Sequence, residues 1–184
     1  FIKFNGLCID IGCDFVLVVP FYLAFKKIKL QILKLKREGF EVSSLDLGGG
    51  VGIKYNDKNK ILDINSYAQV IDELFSDLDL EIIIEPGRYL VGSSGIILSR
   101  VIRTKSGDNK DFVIIDAGMD NLIRPALYGA EHKIIPVKKK KQTNLKSYDI
   151  VGPICETSDV FIKKMKIHRL NPDDLVVICS TGAY

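Results

Sequence analysis

Along the first half of the chain, short apolar runs alternate with stretches in which apolar residues recur every three or four positions. Residues 2–11 read as a strand. Residues 21–37 read as a helix, with Phe21, Phe25, Ile28, Ile32 and Leu35 on one face and Lys26, Lys27, Lys29, Lys34 and Lys36 largely off it. Gly39 is a natural stop for that helix. Residues 42–47 give a second strand, which runs into Gly48-Gly49-Gly50. A second helix is expected from about Ser66 to Leu78, capped by Asn65 or Ser66, with Ile71, Leu74, Phe75 and Leu78 inward. The unbroken β-branched run Ile82-Ile83-Ile84 then predicts a strand buried on both faces, as in a parallel sheet. Strand, helix, strand, helix, strand is the order of a parallel α/β sheet or barrel. Three strands cannot close a barrel, so most of one would lie upstream.

Beyond Gly92 the spacing changes. Segments 95–104, 111–116, 134–137, 148–154, 159–163 and 174–179 are short β-like runs separated by Gly, Pro, Asn and Asp, with no amphipathic helix of any length between them. The expected fold class is therefore α/β plus β. Residues 1–93 read as the C-terminal portion of a β/α barrel, and residues 94–184 as an incomplete β-rich domain. The chain begins with Phe1, and both of its ends fall inside apolar segments. It reads as a piece of a longer protein.

Composition narrows the class of function. With 184 residues, 47% hydrophobic and 27% charged, the chain has the balance of a soluble globular protein. A net charge of +3 argues against a nucleic-acid or anionic-membrane partner. The basic run Lys138-Lys139-Lys140-Lys141 has no interleaved aromatic residue and reads as a solvated loop. Four cysteines without a C-x-x-C pair, and only two histidines, suggest neither a metal site nor a disulfide framework, so a reducing cytoplasm is expected. The apolar stretch 15–25 is too short to span a bilayer, is broken by Pro20, and lacks the features of a signal peptide.

Candidate chemistry collects at the ends of two of the predicted strands. "LDLGGGVGIKY" (45–55) places Gly48, Gly49 and Gly50 where a buried strand leaves the sheet, the end at which parallel folds bind ligands. It is neither a P-loop nor a G-x-G-x-x-G fingerprint, because the next glycine that either would need falls on Ile53. Two readings stay open: a tight strand-to-helix turn, or a set of backbone N–H groups around an anion. "EIIIEPGRYL" (81–90) ends in Glu85 and Arg88 on a turn fixed by Pro86 and opened by Gly87. If both strands end at one rim, the glycine loop and Gly87-Arg88 can share a phosphate, while Glu85 faces a protonated ring nitrogen. A phosphate and a heteroaromatic nitrogen together describe pyridoxal phosphate.

Five segments in order, "LDLGGGVGIKY", "EPGRYLVGSSG", "IDAGMDNLIRPALYGAEH", "VGPICETSD" and the terminal "TGAY", resemble the motif series of the diaminopimelate decarboxylases. These belong to the barrel-type (fold-type III) pyridoxal-phosphate decarboxylases, together with the ornithine and arginine enzymes. The resemblance covers nearly the whole chain. It implies the decarboxylation of meso-2,6-diaminopimelate to L-lysine and CO2, with pyridoxal 5'-phosphate as cofactor and an amino acid as substrate. It also implies a cytoplasmic homodimer with shared active sites. By resemblance, Gly48, Gly49, Gly50 and the segment Glu85, Pro86, Gly87 and Arg88 hold the cofactor, with Glu85 on the pyridine nitrogen. Arg88 would also reach a substrate carboxylate. Arg124 and Tyr128 would bind the distal end of the substrate. A planar Arg suits a carboxylate in a bidentate pair, although a surface Arg and a core Tyr would look the same in sequence. Cys155 would supply the proton that replaces CO2, Glu156 would contact the distal amino group, and the pair would act in the partner's site. A small buried hydrophobe is the other reading of a lone Cys. Tyr184 would bond the phosphate and line the substrate site. Two positions depart from the family pattern: Asp10 stands where it has a ring-stacking histidine, and Cys13 where it has a serine. The lysine that binds the cofactor covalently would lie upstream of Phe1, so the chain by itself is expected to be inactive. The alternatives are an ornithine- or arginine-type decarboxylase, or a degraded non-catalytic paralogue.

Overall fold

The computed structural model describes residues 4–56, 60–138 and 144–184, so most of the basic run 138–141 lies outside the described residues. The chain divides into two compact units. One comprises Phe1–Lys54 with Asn59–Leu90, the other Tyr55–Lys58 with Val91–Tyr184.

In the first unit, β1 (Gly6–Cys8), β2 (Ser44–Asp46) and β3 (Glu81–Ile83) form a parallel sheet in the order β1-β2-β3. The helices α1 (Val18–Arg37) and α2 (Ile64–Phe75) fill the crossovers, and the short α3 (Gly87–Val91) follows β3. Helix α1 starts three residues earlier than its apolar spacing suggests. Pro20 thereby falls in the first turn, where an N–H has no intrahelical acceptor and its loss is tolerated. The cap of α2 is Asp63, not Asn65 or Ser66. Its carboxylate accepts from the Asn65 N–H at 3.1 Å and the Ser66 hydroxyl at 2.6 Å, which holds the Asp63 pKa below its ordinary value. Phe21, Phe25, Tyr67 and Phe75 pack edge-on or tilted, with ring centroids 4.9–6.0 Å apart, in the same core as the fully buried Leu45 and Leu47. One expectation fails. Ile83 and Ile84 are 41% and 48% exposed, and of the three isoleucines only Ile82 packs on the core. The central strand β2 alternates in the same way, with Leu45 fully buried between the partly buried Ser44 and Asp46.

The second unit is a six-stranded sheet in the order β6-β9-β4-β5-β7-β8, antiparallel except for the pair β5–β7. Its strands are β4 (Ile96–Ser106), β5 (Asp111–Ile115), β6 (Ile134–Pro136), β7 (Lys146–Val151), β8 (Val160–Ile167) and β9 (Leu175–Cys179). Each falls on one of the six β-like runs, with ends displaced by a few residues. β7 stops at Val151, where Gly152 and Pro153 open a loop. Val101, Val113, Ile115, Ile150, Val176 and Ile178 form the centre of its core, each 0–1% exposed. The helix α4 (Arg124–Tyr128) is a single turn inserted between β5 and β6. Among the described residues no helix is long and apolar enough to cross a membrane, and no cluster of His, Cys, Asp and Glu could hold a metal ion.

Candidate functional site

The candidate residues fall into two groups, one in each unit. In the first unit the glycine loop and the Glu85–Arg88 turn leave the sheet side by side. The Leu47 N–H donates to Ile83 C=O at 2.9 Å, and the Glu85 N–H to Gly48 C=O at 2.8 Å. The glycines have a steric cause. A Cβ on Gly48 would fall 2.5 Å from the Ile9 carbonyl oxygen, one on Gly49 2.5 Å from that of Glu85, and one on Gly50 2.7 Å from that of Gly12. Gly48 and Gly50 also have φ of +65° and +87°, a backbone region that favours glycine. The loop is therefore wedged between its neighbours, which is the tight-turn reading with a physical reason attached. An anion cradle is compatible with this packing only in part, because the Gly48 N–H already donates to the Asp46 carboxylate at 2.8 Å.

Arg88 is 5% exposed, and its guanidinium pairs with the Asp14 carboxylate at 3.1 Å. Asp14 belongs to the loop that follows β1. That loop is bound to the glycine loop through Phe15 N–H to Gly50 C=O and Gly52 N–H to Phe15 C=O, both 2.9 Å. Asp10 closes an Asx turn by accepting from the Gly12 N–H at 2.8 Å. Glu85 is exposed at the end of β3. Loss of hydration, and then the Asp46 and Glu85 carboxylates, push the Cys8 thiol above its ordinary pKa. The rim is thus rich in carboxylate, with Arg88 the cation seated among them.

In the second unit, Arg124 opens α4. It is 8% exposed, and its Nε has no hydrogen-bond partner among the described residues. Its guanidinium carbon lies 4.9 Å from the centroid of the Tyr128 ring and 5.8 Å from that of Tyr184. Those rings are 66% and 76% exposed, so the structure gathers three of the predicted residues into a cation flanked by two accessible aromatic faces. Gly129, at φ +66°, ends α4, and its N–H returns to Pro125 C=O at 3.1 Å. Tyr184 is held there by "TGAY": the Thr181 N–H donates to Gly95 C=O and the Gly182 N–H to Gly92 C=O, both at 3.0 Å.

Cys155 and Glu156 lie on the loop between β7 and β8, and both are exposed. The core reading of Cys155 is thereby removed. Glu156 accepts from the Thr157 hydroxyl at 3.0 Å and the Ser158 N–H at 3.3 Å, and these bonds hold its pKa below the ordinary carboxylate value. Two residues that matter locally had no assigned role in the sequence reading: Asp14, which pairs with Arg88, and Asp159, which closes the Cys155 loop. In the sequence Asp159 was visible as the last residue of "VGPICETSD", directly before the apolar run of β8.

These residues fit a phosphate-bearing pyridine cofactor in part. Arg88 and the Gly49–Gly50 backbone suit an anion, and an exposed Glu85 beside them suits a ring nitrogen. Asp10 does not fit as a stacking group, since a carboxylate has no ring face and this one is turned back on the Gly12 N–H.

Comparison with known proteins gives these groups their context. The model of the pyridoxal-dependent decarboxylase, C-terminal sheet domain family matches residues 13–182. The diaminopimelate decarboxylase of Neisseria meningitidis serogroup B is 43% identical over 183 residues, covering 100% of this chain and 44% of that protein. That of Zymomonas mobilis is 38% identical over 184 residues, again all of this chain and 43% of that protein. The crystal structure of Helicobacter pylori diaminopimelate decarboxylase complexed with L-lysine superposes with a TM-score of 0.91 at 35% identity, over 99% of this chain and 45% of that one. The chain therefore spans less than half the length of the relatives it matches. The lysine/ornithine decarboxylase of Vibrio vulnificus, at 21% identity and a TM-score of 0.87, shares the fold. With a family model matched over residues 13–182, across both units, the chain belongs to the pyridoxal-dependent decarboxylases.

Proposed function

We propose that this chain supplies the last strands of the barrel and most of the sheet domain of a cytoplasmic, pyridoxal-phosphate-dependent diaminopimelate decarboxylase. In this reading residues 1–93 belong to the barrel and 94–184 to the β domain. The reaction is removal of CO2 from meso-2,6-diaminopimelate to give L-lysine. One observation carries the choice of substrate. Arg124 is a buried cation whose Nε has no hydrogen-bond partner among the described residues, flanked by Tyr128 and Tyr184, and such a group calls for an anion. Diaminopimelate has a distal carboxylate; ornithine and arginine do not.

When bound, pyridoxal phosphate supplies an electron sink for the carbon that loses CO2. The residues of the chain do the rest. Gly48, Gly49, Gly50 and the Pro86-Gly87-Arg88 turn would hold the phosphate, and by resemblance Tyr184 would bond it. Glu85 keeps a proton on the ring nitrogen. Arg88 also orients the carboxylate that leaves. Arg124, Tyr128 and Tyr184 bind the far end of the substrate, and Glu156 takes the distal ammonium. Cys155 returns a proton to the carbon that lost CO2. The test is a panel in which the complete protein with pyridoxal phosphate is offered meso-diaminopimelate, ornithine and arginine and CO2 release is measured. Release from diaminopimelate alone is expected. Preference for ornithine or arginine would overturn the substrate assignment.

A second reading, a non-catalytic paralogue, is favoured by Asp10 and by the Asp14–Arg88 pair, which put two carboxylates where the family reading needs a stacking ring and a cation open to anions. Loss of CO2 release from all three amino acids, in protein shown to be folded, would establish it.

Cys155 and Glu156 are exposed, and in the proposed enzyme they serve the partner's site in a homodimer. Mixing Cys155→Ala protein with protein lacking the cofactor-binding lysine should restore activity, since each hybrid dimer has one site free of both changes. Verified hybrids without activity would rule out sharing.

A further inference from the structure

Asp159 makes an unusual set of bonds. It is 3% exposed, yet its carboxylate reaches two separate loops. Oδ1 accepts from the Met119 N–H at 2.8 Å, in the loop between β5 and α4, and Oδ2 accepts from the Ile154 N–H at 2.9 Å, in the loop between β7 and β8. Its main chain binds the second loop twice more. Gly152 N–H donates to Asp159 C=O at 3.0 Å, and Asp159 N–H donates to Glu156 C=O at 3.1 Å. One residue thus fixes positions 152, 154 and 156, every second residue on either side of Cys155. Gly152 is shaped for this arrangement, because a Cβ there would collide with the Asp159 carboxylate.

The loop that contains Met119 leads into Arg124. It is itself ordered by Gly118 N–H to Asn121 Oδ1 and Asn121 N–H to Gly118 C=O, both 3.0 Å. Its root is tied down where Asp116 accepts from the Ser99 hydroxyl at 2.6 Å, while Ser99 accepts from the Ala117 N–H at 3.1 Å. Movement of the Asp159 carboxylate therefore acts on the segment bearing Cys155 and Glu156 and on the segment that delivers Arg124.

We propose that Asp159 is a positioning residue, a buried carboxylate that sets the Cys155–Glu156 turn and holds it in register with the Arg124 segment. The inference rests on the functional reading above. Charged hydrogen bonds to backbone N–H groups suit this task, being short and directional, and a buried N–H that loses its acceptor is costly. Asn at this position keeps the size but offers one acceptor in place of two, and sets an N–H donor against one of the backbone donors.

The test compares wild type, Asp159→Asn and Gly152→Ala in the complete protein, with three measurements on each. The expected result is that amide exchange at Met119 or Ile154 accelerates about tenfold while the amides of β5 and β7 keep their protection. Iodoacetamide labelling of Cys155 rises relative to Cys13, a reference on the other unit. KM for diaminopimelate rises about tenfold, with cofactor content unchanged. Loss of active protein alone would lower kcat and leave KM where it was. Gly152→Ala displaces the carboxylate without removing it, and reproduces the phenotype if Asp159→Asn does not fold. Unchanged Cys155 labelling, unchanged KM or uniformly faster exchange over the whole sheet would overturn the proposal. Absence of decarboxylation in wild type would sink the functional reading instead. Cys155 labelling still decides whether Asp159 holds the turn.

Discussion

Glu85→Gln in the complete protein lowers the rate of CO2 release by about a hundredfold or more while pyridoxal phosphate stays bound, since loss of one preorganised electrostatic partner typically costs that much. The size of the effect follows from what each side chain can do for a ring nitrogen. A carboxylate stabilises the protonated, positively charged ring, and so favours electron flow away from the carbon that loses CO2. The amide of Gln is isosteric but neutral, and it can donate to an unprotonated nitrogen just as well as accept from a protonated one. The position of Glu85 argues that the change is chemical and not structural. Its backbone N–H, not its side chain, ties β3 to Gly48, and the side chain is exposed. Thermal stability and cofactor stoichiometry should therefore stay close to wild type, with the absorption of the bound cofactor altered. Activity within a few-fold of wild type would remove Glu85 from the proposed role.

The contrast between Glu85 and its neighbours shows which parts of the molecule can be read from sequence. Periodicity located α1, α2 and the six strands of the sheet unit because each buries a face at a fixed spacing, and that spacing survives in the sequence whatever the tertiary context. It misjudged β3, since a run of three isoleucines reports the character of a strand but not whether a neighbour covers it. The cap of α2 went to Asp63 rather than to the residues expected because several polar residues in succession can all cap, and geometry selects among them. For the candidate site, the motifs placed Arg124, Tyr128 and Tyr184 in one list, and the structure adds that the guanidinium sits near both rings. The roles of Asp14 and Asp159 were not legible, although Asp159 ends the motif "VGPICETSD". Their roles depend on partners 74 and 40 positions away in sequence, Arg88 and Met119, and no local pattern encodes such pairs. The glycine loop was legible as a feature but not as a cause: the carbonyls of Ile9, Gly12 and Glu85 that exclude a Cβ come from two other stretches of chain.

Arg124→Ala raises KM for meso-diaminopimelate about a hundredfold and leaves the binding of 1,5-diaminopentane nearly unchanged, because removing one partner of a desolvated charge pair costs about 2–5 kcal/mol and 1,5-diaminopentane, unlike the product L-lysine, carries no carboxylate to lose. The argument starts from burial. Arg124 is 8% exposed and its Nε is unsatisfied among the described residues, so the free protein holds a poorly solvated cation whose best available compensation is an anion arriving from outside. Tyr128 and Tyr184 contribute ring faces, which favour a cation but cannot replace a carboxylate that accepts two parallel N–H bonds. Arg124→Lys should recover only part of the loss. An ammonium keeps the charge but has no planar fork, and it would leave the space of the guanidinium between the two rings unfilled. The measurement pairs steady-state kinetics on diaminopimelate with a direct titration of 1,5-diaminopentane for each variant. The split between the two ligands is the informative result. Equal weakening of both would mean that Arg124 supports the shape of the pocket and not the distal carboxylate, and unchanged KM for diaminopimelate would favour the ornithine-type reading instead.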